Sequence, residues 1–170
     1  MAHWKREQPE LLSNRRGYTL IEMLVTVAII SILASMAMPY AKMTTVRNQE
    51  LELKLSLREI RTALDTFHKD WKEGRLNKLE AGASPDGYPK QLTQLVEGVR
   101  LSGKLEQRKK YLRRIPKDPF SDASLAAEQQ WHYIGYRDSA DAEQWNGIDI
   151  YDIRSQSERQ ALDKSSYRDW

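Results

Sequence analysis

Glu22 is a charged residue inside an apolar run, since 17 of the 23 residues at positions 18–40 are apolar. A carboxylate at the centre of a membrane helix costs about 2.5–3.5 kcal/mol on insertion scales, and less near the lipid headgroups. Glu22 therefore either lies harmlessly at headgroup level or meets a specific cation. One such cation is an α-amino group on Tyr18, created if the chain is cut after Gly17. Tyr18 and Glu22 are four residues apart and would share a helix face.

Few other residues have types or spacings that support catalysis. The chain of 170 residues has no Cys, so it offers neither a thiolate nucleophile nor a thiolate zinc site. Its three His residues are far apart in the sequence, at His3, His68 and His132. Asp118, Asp122 and Asp138 near His132 match no nucleophile–base spacing, phosphate loop or metal motif. We therefore do not expect an enzyme.

Charge and aromatic content do not point to a nucleic-acid or sugar ligand. The formal net charge is only +3, and the 27 Lys and Arg residues alternate with 24 Asp and Glu residues instead of forming a tract. Five aromatic residues cluster in the carboxyl-terminal part: Trp131, Tyr133, Tyr136, Trp145 and Tyr151. They suit a carbohydrate platform, but in a small sheet such residues more often serve packing.

Residues 18–40 must position Glu22, and their length suits a membrane-spanning helix. Twenty-three residues at about 1.5 Å each span about 35 Å, against a hydrocarbon core of about 30 Å. A polar leader, residues 1–17, precedes them and contains the cations Lys5, Arg6, Arg15 and Arg16. Basic residues also follow the segment, so flanking charge alone does not orient it. The sequence thus indicates one apolar anchor joined to a very polar domain.

Residues 15–22 read Arg-Arg-Gly-Tyr-Thr-Leu-Ile-Glu and resemble the class III signal of type IV pilins and type II secretion pseudopilins. The resemblance implies that a membrane prepilin peptidase cleaves between Gly17 and Tyr18 and methylates the Tyr18 amine. It also implies that Glu22 offsets the Tyr18 amine of an adjacent subunit during assembly. Pro39 matches a helix-bending proline of this family, whereas Tyr18 departs from the usual Phe.

A second interpretation of the leader stays open. Residues 13–19 are also close to a twin-arginine export signal, and residues 35–37 have the small-x-small form of a cleavage site. The product would be an exported, soluble periplasmic binding domain that begins near Met38. Against this interpretation, Glu22 lies in the apolar region and the helical periodicity continues past the supposed cut.

The helical pattern continues after Pro39 to a predicted stop at Gly74, which makes residues 41–74 an amphipathic continuation of the anchor helix. One apolar stripe recurs every three or four positions. Its members are Leu53, Leu57, Ile60, Leu64, Phe67 and Trp71. The stripe favours packing on a sheet over a coiled coil. Pro39 is expected to bend the helix, because proline removes an internal hydrogen bond.

Residues 75–170 are predicted to form a globular α+β domain. Residues 82–89 form a turn cluster, residues 89–96 a short helix, and residues 131–136 and 148–153 strands of one sheet of three or four strands. The order of its motifs, from Tyr88-Pro89 through residues 111–120 to Trp170, resembles the major pseudopilin of type II secretion. The expected fold is type IV pilin-like, with a long kinked amino-terminal helix packed on a small antiparallel sheet.

The same resemblance implies one candidate cofactor, a calcium ion bound after the last strand. The matching oxygen ligands in this chain are Asp152, Ser155, Ser157 and Asp163. Arg154 and Arg159 interrupt this stretch, and the usual glycines are absent. A solvated loop held by polar side chains is the alternative.

These features predict a structural subunit of a periplasmic or surface pilus-like filament, with a type II secretion pseudopilus preferred over a long adhesive or conductive pilus. The resemblance implies a homopolymer built through the amino-terminal helices. It also implies minor pseudopilins, a prepilin peptidase, and an inner-membrane assembly platform with its ATPase as partners. Before assembly, the chain would be a single-pass protein of the bacterial inner membrane with its globular domain in the periplasm.

Overall fold

A computed structural model describes residues 17–78, 81–103, 107–139 and 141–170, with the backbone alone at residues 36–39. The predicted leader, except for Gly17, lies outside the described residues. The chain divides into two compact units, Met1–Lys42 and Met43–Trp170, and each is described by itself. The first unit contains the candidate processing site, and the second contains the hydrophobic core.

One helix, α1, covers Leu20–Lys72, close to the predicted residues 18–74. It begins directly after Thr19. It ends where Gly74 takes a φ of 71° and donates its N–H to the Trp71 carbonyl at 3.1 Å. Glycine adopts this left-handed conformation without a steric penalty, so the predicted stop is confirmed. The helical backbone runs through Pro39, and the bend expected there stays a prediction.

The apolar stripe predicted on the second half of α1 forms one side of the core. Its buried members are Leu53, Leu57, Ile60, Leu64 and Phe67, with Trp71 packed against them. Trp131, Ile150, Ile153 and Tyr167 face them from the strand-bearing part of the same unit. The helix therefore packs on strands, as the spacing predicts.

Within the described residues, four short strands form two separate antiparallel sheets instead of the single sheet predicted. A short helix, α2 (Thr93–Glu97), comes first. The strands are β1 (Val99–Arg100), β2 (Arg108–Lys109), β3 (Trp131–Ile134) and β4 (Asp152–Ser155), and 3₁₀ turns lie at Ala127–Gln130 and Tyr167–Asp169. β1 pairs with β2, and β3 pairs with β4, with Trp131 opposite Ser155.

Side-chain carboxylates decide where β3 ends. The strand stops at Ile134, two residues before its predicted end, because the next main-chain donors find other acceptors. The Gly135 N–H donates to Asp138 at 2.7 Å, and the Tyr136 N–H donates to Asp149 at 2.9 Å. Such side-chain acceptors compete with the ladder of a sheet. On the partner strand, β4 begins at Asp152 and not at residue 148, and the Ile150 N–H donates to the Pro89 carbonyl at 2.8 Å.

Glu50 ties the carboxyl-terminal segment to α1. Its Oε1 accepts the Leu162 N–H at 2.7 Å and the Tyr167 hydroxyl at 3.0 Å. Tyr167 is buried and stacks on Phe120 with a centroid separation of 4.0 Å. Burial raises the pKa of Tyr167 to about 12, and the hydrogen bond to Glu50 contributes to the increase. The final turn is therefore held by polar contacts as well as by the core.

Asp70 is a buried carboxylate near the end of α1, only 1% exposed. It accepts hydrogen bonds from Lys109 Nζ at 2.5 Å, the Tyr111 hydroxyl at 2.8 Å and Arg75 Nη1 at 3.2 Å. Burial alone raises the pKa of Asp70. The hydrogen bonds from Lys109 and Tyr111, with the charges of Lys109 and Arg75, nevertheless hold that pKa below its ordinary value. This cluster joins the end of α1 to β2.

Candidate processing and assembly site

The amino-terminal end of α1 places Thr19 and Glu22 in a capping arrangement. Thr19 Oγ1 accepts the Glu22 N–H at 3.2 Å, and the Thr19 carbonyl accepts the Met23 N–H at 3.1 Å. Thr-x-x-Glu is the sequence form of a capping box, which satisfies main-chain donors at a helix start. Residues 19–22 read Thr-Leu-Ile-Glu and match this form. The helix cap is therefore visible in the sequence, although the family resemblance does not point to it. Glu22 therefore sits in the first turn of a helix that Thr19 caps.

Tyr18 lies outside the helix. Since α1 begins at Leu20, Tyr18 and Glu22 do not share a helix face, and the expectation that they do is wrong. The Tyr18 side chain is 77% exposed. An amine on Tyr18 would come one residue before the Thr19 cap, near Glu22 in sequence but not fixed against it by helix geometry.

Gly17 is open to its surroundings. A Cβ built on it meets no atom within 4 Å among the described residues. Packing in this part of the chain therefore does not require glycine at position 17. A need for the smallest side chain here would have to come from another molecule, such as an enzyme that cuts after it.

Residues 17–35 expose apolar side chains on all sides of the helix. Every described side chain in this range is exposed, including Leu20 and Ile21. A helix that is apolar all round belongs inside a membrane or inside a larger apolar assembly. Among the described residues, α1 contains a stretch long and apolar enough to cross a membrane.

The polar residues of this stretch differ in whether the helix satisfies them. The hydroxyls of Thr26, Ser31 and Ser35 donate to carbonyls three or four residues earlier, at 2.7–2.9 Å. Such bonds let hydroxyls lie in an apolar medium. Glu22 is the only charged side chain between residues 18 and 41. It is thus the group in this stretch that most needs an ionic partner.

The electrostatics of the helix start favour a carboxylate at position 22. The aligned peptide dipoles place about half a positive charge at a helix amino terminus. A charged amine on Tyr18 would add to that positive potential. Glu22, in the first turn, is placed to offset both. The arrangement can therefore hold a positive charge.

In the second unit, Asp152 from the predicted calcium set is paired with a side-chain cation. Its Oδ1 accepts hydrogen bonds from Arg61 Nε at 2.7 Å and from the Ile153 N–H at 2.8 Å. Its Oδ2 lies 3.4 Å from Arg61 Nη2. Both carboxylate oxygens therefore face a guanidinium, and no signal in the sequence connects residues 61 and 152.

The remaining calcium candidates also have protein partners. The Ser155 hydroxyl donates to Asp118 at 2.6 Å and accepts the Ser157 N–H at 3.1 Å. Asp163 accepts the N–H and hydroxyl of Ser165 at 2.9 and 2.6 Å in an exposed turn. The described residues contain no group of three or more His, Cys, Asp or Glu that could hold a metal. The four predicted ligands do not fit a calcium site.

The other acidic and His residues considered for chemistry stabilise loops. Asp122 accepts the Ser124 N–H at 2.9 Å, and its pKa is lowered by that hydrogen bond. His132 Nε2 lies 3.2 Å from the Ala142 carbonyl oxygen. With Asp138 bonded to the Gly135 N–H, these residues have local structural partners.

The aromatic residues considered for a sugar platform pack against one another. Trp131 is buried in the core. Tyr133 and Trp145 meet edge to face with ring centroids 5.3 Å apart, and Tyr136 and Tyr151 do so at 5.5 Å. Edge-to-face pairs of this kind are a common mode of packing. Their arrangement agrees with a packing role.

Comparison with known proteins bears on the amino-terminal site. Residues 12–38 match the family model described as "Prokaryotic N-terminal methylation motif". Three relatives, each named type IV major fimbrial protein FimA of Dichelobacter nodosus, are 40%, 39% and 35% identical over 63, 61 and 81 residues. These matches cover 37%, 36% and 43% of this chain and 40%, 39% and 51% of the relatives, so the chain spans about half of their length or less. No solved structure matches the chain.

The methylation motif covers Gly17 and Tyr18, which precede α1, and Glu22 in its first turn. The long amino-terminal helix with small antiparallel sheets agrees with an α+β type IV pilin-like fold. Members of the type IV pilin family are structural subunits of filaments and not enzymes. The signal motif and the fimbrial relatives support the type IV pilin superfamily as the family that this chain resembles.

Proposed function

We propose that this chain is a structural subunit of a pilus-like filament, which polymerises after cleavage between Gly17 and Tyr18 and methylation of Tyr18. The observation that carries the proposal is the exposed apolar start of α1 with Glu22 as its single charged side chain. A membrane covers such a helix before assembly, and the helices of other subunits cover it afterwards. The globular unit then lies outside the apolar core of the filament.

Assembly moves the helix from one apolar medium to another. Burial of apolar surface therefore contributes little to the free-energy difference between the membrane state and the filament state. Side-chain packing and ionic contacts must supply the difference. Opposite charges attract more strongly in a medium of low dielectric constant than in water. Pairing of Glu22 with the Tyr18 amine of a neighbour is therefore the contact that distinguishes the assembled state from the lipid state.

The type of filament is a finer proposal. The motif order of residues 88–170 favours a type II secretion pseudopilus, the first expectation from the sequence. Two other observations favour a surface fimbria. The relatives carry the name of a fimbrial protein, and the residues expected to bind the calcium of the secretion branch do not fit that ion. We therefore propose a surface fimbria, with a pseudopilus as the second candidate.

The proposed partners follow from the same assignment. A prepilin peptidase would process the chain, and an inner-membrane platform with its ATPase would drive assembly. A pseudopilus would also include minor pseudopilins. Before assembly, the proposed location is the bacterial inner membrane, with residues 43–170 on the periplasmic side.

Mass spectrometry of the full chain, produced in a bacterial membrane together with a prepilin peptidase, tests processing. We expect a product that begins at Tyr18 and carries one amino-terminal methyl group. Gly17→Val is the matched control, because a Cβ at position 17 meets nothing among the described residues. It should block cleavage and leave the fold of residues 43–170 unchanged.

Two products would contradict the proposal. An intact initiator Met in the presence of active peptidase would exclude prepilin processing. A mature chain that begins near Met38 would support the twin-arginine interpretation and a soluble periplasmic domain. If the product begins at Tyr18, electron microscopy of sheared cells distinguishes the two filament types. A fimbria is long and released by shear, whereas a pseudopilus stays short.

A further inference from the structure

The carboxyl-terminal segment is held by a cation that the chain itself provides. Besides the Asp152 carboxylate, the Arg61 guanidinium reaches two main-chain oxygens. Nη2 donates to the Ile153 carbonyl at 3.0 Å and to the Trp170 main-chain oxygen at 2.6 Å. One side chain of α1 therefore joins β4 to Trp170. Its acceptors, a carboxylate and main-chain oxygens, are the ligand types that calcium prefers in proteins.

Lys54 is a second cation, and it lies near Asp163, the other acidic residue of the predicted calcium set. Lys54 Nζ lies 4.2 Å from the centre of the Trp170 ring. Lys54, Arg61, Asp163 and Trp170 line the same cleft, with a volume of about 400 Å³. Hydrogen bonds from Ser165 are the larger cause that lowers the pKa of Asp163, and the positive charge of Lys54 adds to it.

The charges around this cleft disfavour a divalent ion. Arg58 also lines the cleft, so three cationic side chains surround it, against the carboxylates of Asp65 and Asp163 and the nearby Asp152. A calcium ion at Asp152 would have to displace the guanidinium of Arg61. It would then place two further positive charges among side chains that already balance these carboxylates.

We propose that Arg61, assisted by Lys54, takes the place of a calcium ion, so that the segment 152–170 is held on α1 without any divalent metal. The guanidinium suits this role because it stays charged at all physiological pH values and presents several donors in a fixed plane. Calcium binding would depend on the supply of free ion, whereas Arg61 is part of the chain. The inference concerns the second unit alone and does not depend on the proposed filament.

Thermal unfolding of the full chain in detergent micelles, with EGTA or with calcium chloride, tests the inference. We expect the same Tm in both conditions for the natural chain. Arg61→Gln should lower Tm by about 4 °C or more in both conditions, a shift of the size that loss of one charged contact network produces in a domain of this length. Lys72→Gln is the matched control, since Lys72 is an exposed cation of the same helix that does not line this cleft, and its Tm should stay close to that of the natural chain.

Hydrogen exchange locates the effect. The N–H groups of Ala161, Leu162 and Tyr167 are hydrogen-bonded within the segment or to Glu50. In Arg61→Gln these amides should exchange at least tenfold faster, whereas those in the middle of α1 should not change. Two results would overturn the inference. One is a lower Tm of the natural chain in EGTA that calcium restores. The other is an Arg61→Gln variant with unchanged Tm and unchanged exchange at these amides.

Discussion

Replacing Glu22 by Gln removes the single charge of the apolar helix and keeps a side chain of nearly the same size. The Thr19 hydroxyl still accepts the main-chain N–H of residue 22, so the helix start is retained. Insertion into the membrane should not suffer, because a neutral amide is less costly there than a carboxylate. Cleavage after Gly17 should also continue, since the change lies five residues away.

The expected defect is in polymerisation. In an apolar filament core, removal of one partner leaves the charged amine of Tyr18 without a counter-ion, and breaking a buried ion pair in this way costs about 3–5 kcal/mol. Every 1.4 kcal/mol is about a tenfold change in an equilibrium constant. The concentration of subunit needed to extend a filament should therefore rise by roughly 100-fold or more. At natural expression levels, filaments should be almost absent.

The assay compares the processed subunit in the membrane with the subunit in the sheared filament fraction, by immunoblot and by mass spectrometry. Thr19→Ala is the matched control, because it removes the capping hydroxyl and keeps the carboxylate. Loss of a helix cap costs about 1 kcal/mol, so this variant should polymerise within about tenfold of the natural chain.

Two outcomes would refute the reasoning. Filaments of Glu22→Gln at the natural yield would mean that the carboxylate does not balance an amine in the assembly. An equal loss in Thr19→Ala and Glu22→Gln would mean that both residues act only by stabilising the helix start. Uncleaved Glu22→Gln in the membrane would instead assign the residue to recognition by the peptidase.

Two further predictions concern the second unit. Because the contacts of Asp70 lower its pKa in the folded state, they stabilise the fold above about pH 4, and the stabilisation is lost as pH falls through the lowered folded pKa. Asp70→Asn should therefore unfold at a lower denaturant concentration at pH 7 and show a weaker dependence on pH below about 4, whereas an unchanged pH profile would contradict this role. Gly87 has a φ of 87°, and a Cβ there would lie 2.3 Å from the Trp71 ring, so Gly87→Ala should lower the unfolding free energy by more than about 1 kcal/mol and change the near-ultraviolet circular dichroism of Trp71. A natural spectrum and stability for Gly87→Ala would show that this turn tolerates the side chain.

The sequence predicts well those features that depend on residues close together in the chain. Residues 15–22 give the processing motif as consecutive residue types, and the run that follows gives the anchor by its length. The stripe from Leu53 to Phe67 gives the buried face of α1, because the helical repeat fixes which residues point the same way. Gly74 marks the end of the helix for an equally local reason.

The features that the sequence leaves open depend on residues far apart in the chain. Asp70 meets Lys109 across 39 positions and Arg61 meets Asp152 across 91, and no periodicity predicts either ion pair. The end of β3 depends on which carboxylates accept hydrogen bonds from the main-chain N–H groups of Gly135 and Tyr136. The calcium expectation is not supported for the same reason, since the type of residue at position 152 does not reveal which cation the fold brings to it.

The position of Glu22 relative to the helix start favours pairing between subunits over pairing within one subunit. Tyr18 precedes the Thr19 cap, so the helix does not hold its amine against the Glu22 carboxylate of the same chain. The cap already satisfies the Glu22 N–H and leaves the carboxylate free for an ionic contact. In lipid, this carboxylate near the end of the span can reach the hydrated headgroups, whereas inside the proposed filament core it could not. In that filament, only those axial positions of two subunits that bring a neighbouring Tyr18 amine to Glu22 would avoid an isolated charge. One ion pair would then both favour assembly and select the stagger between adjacent helices.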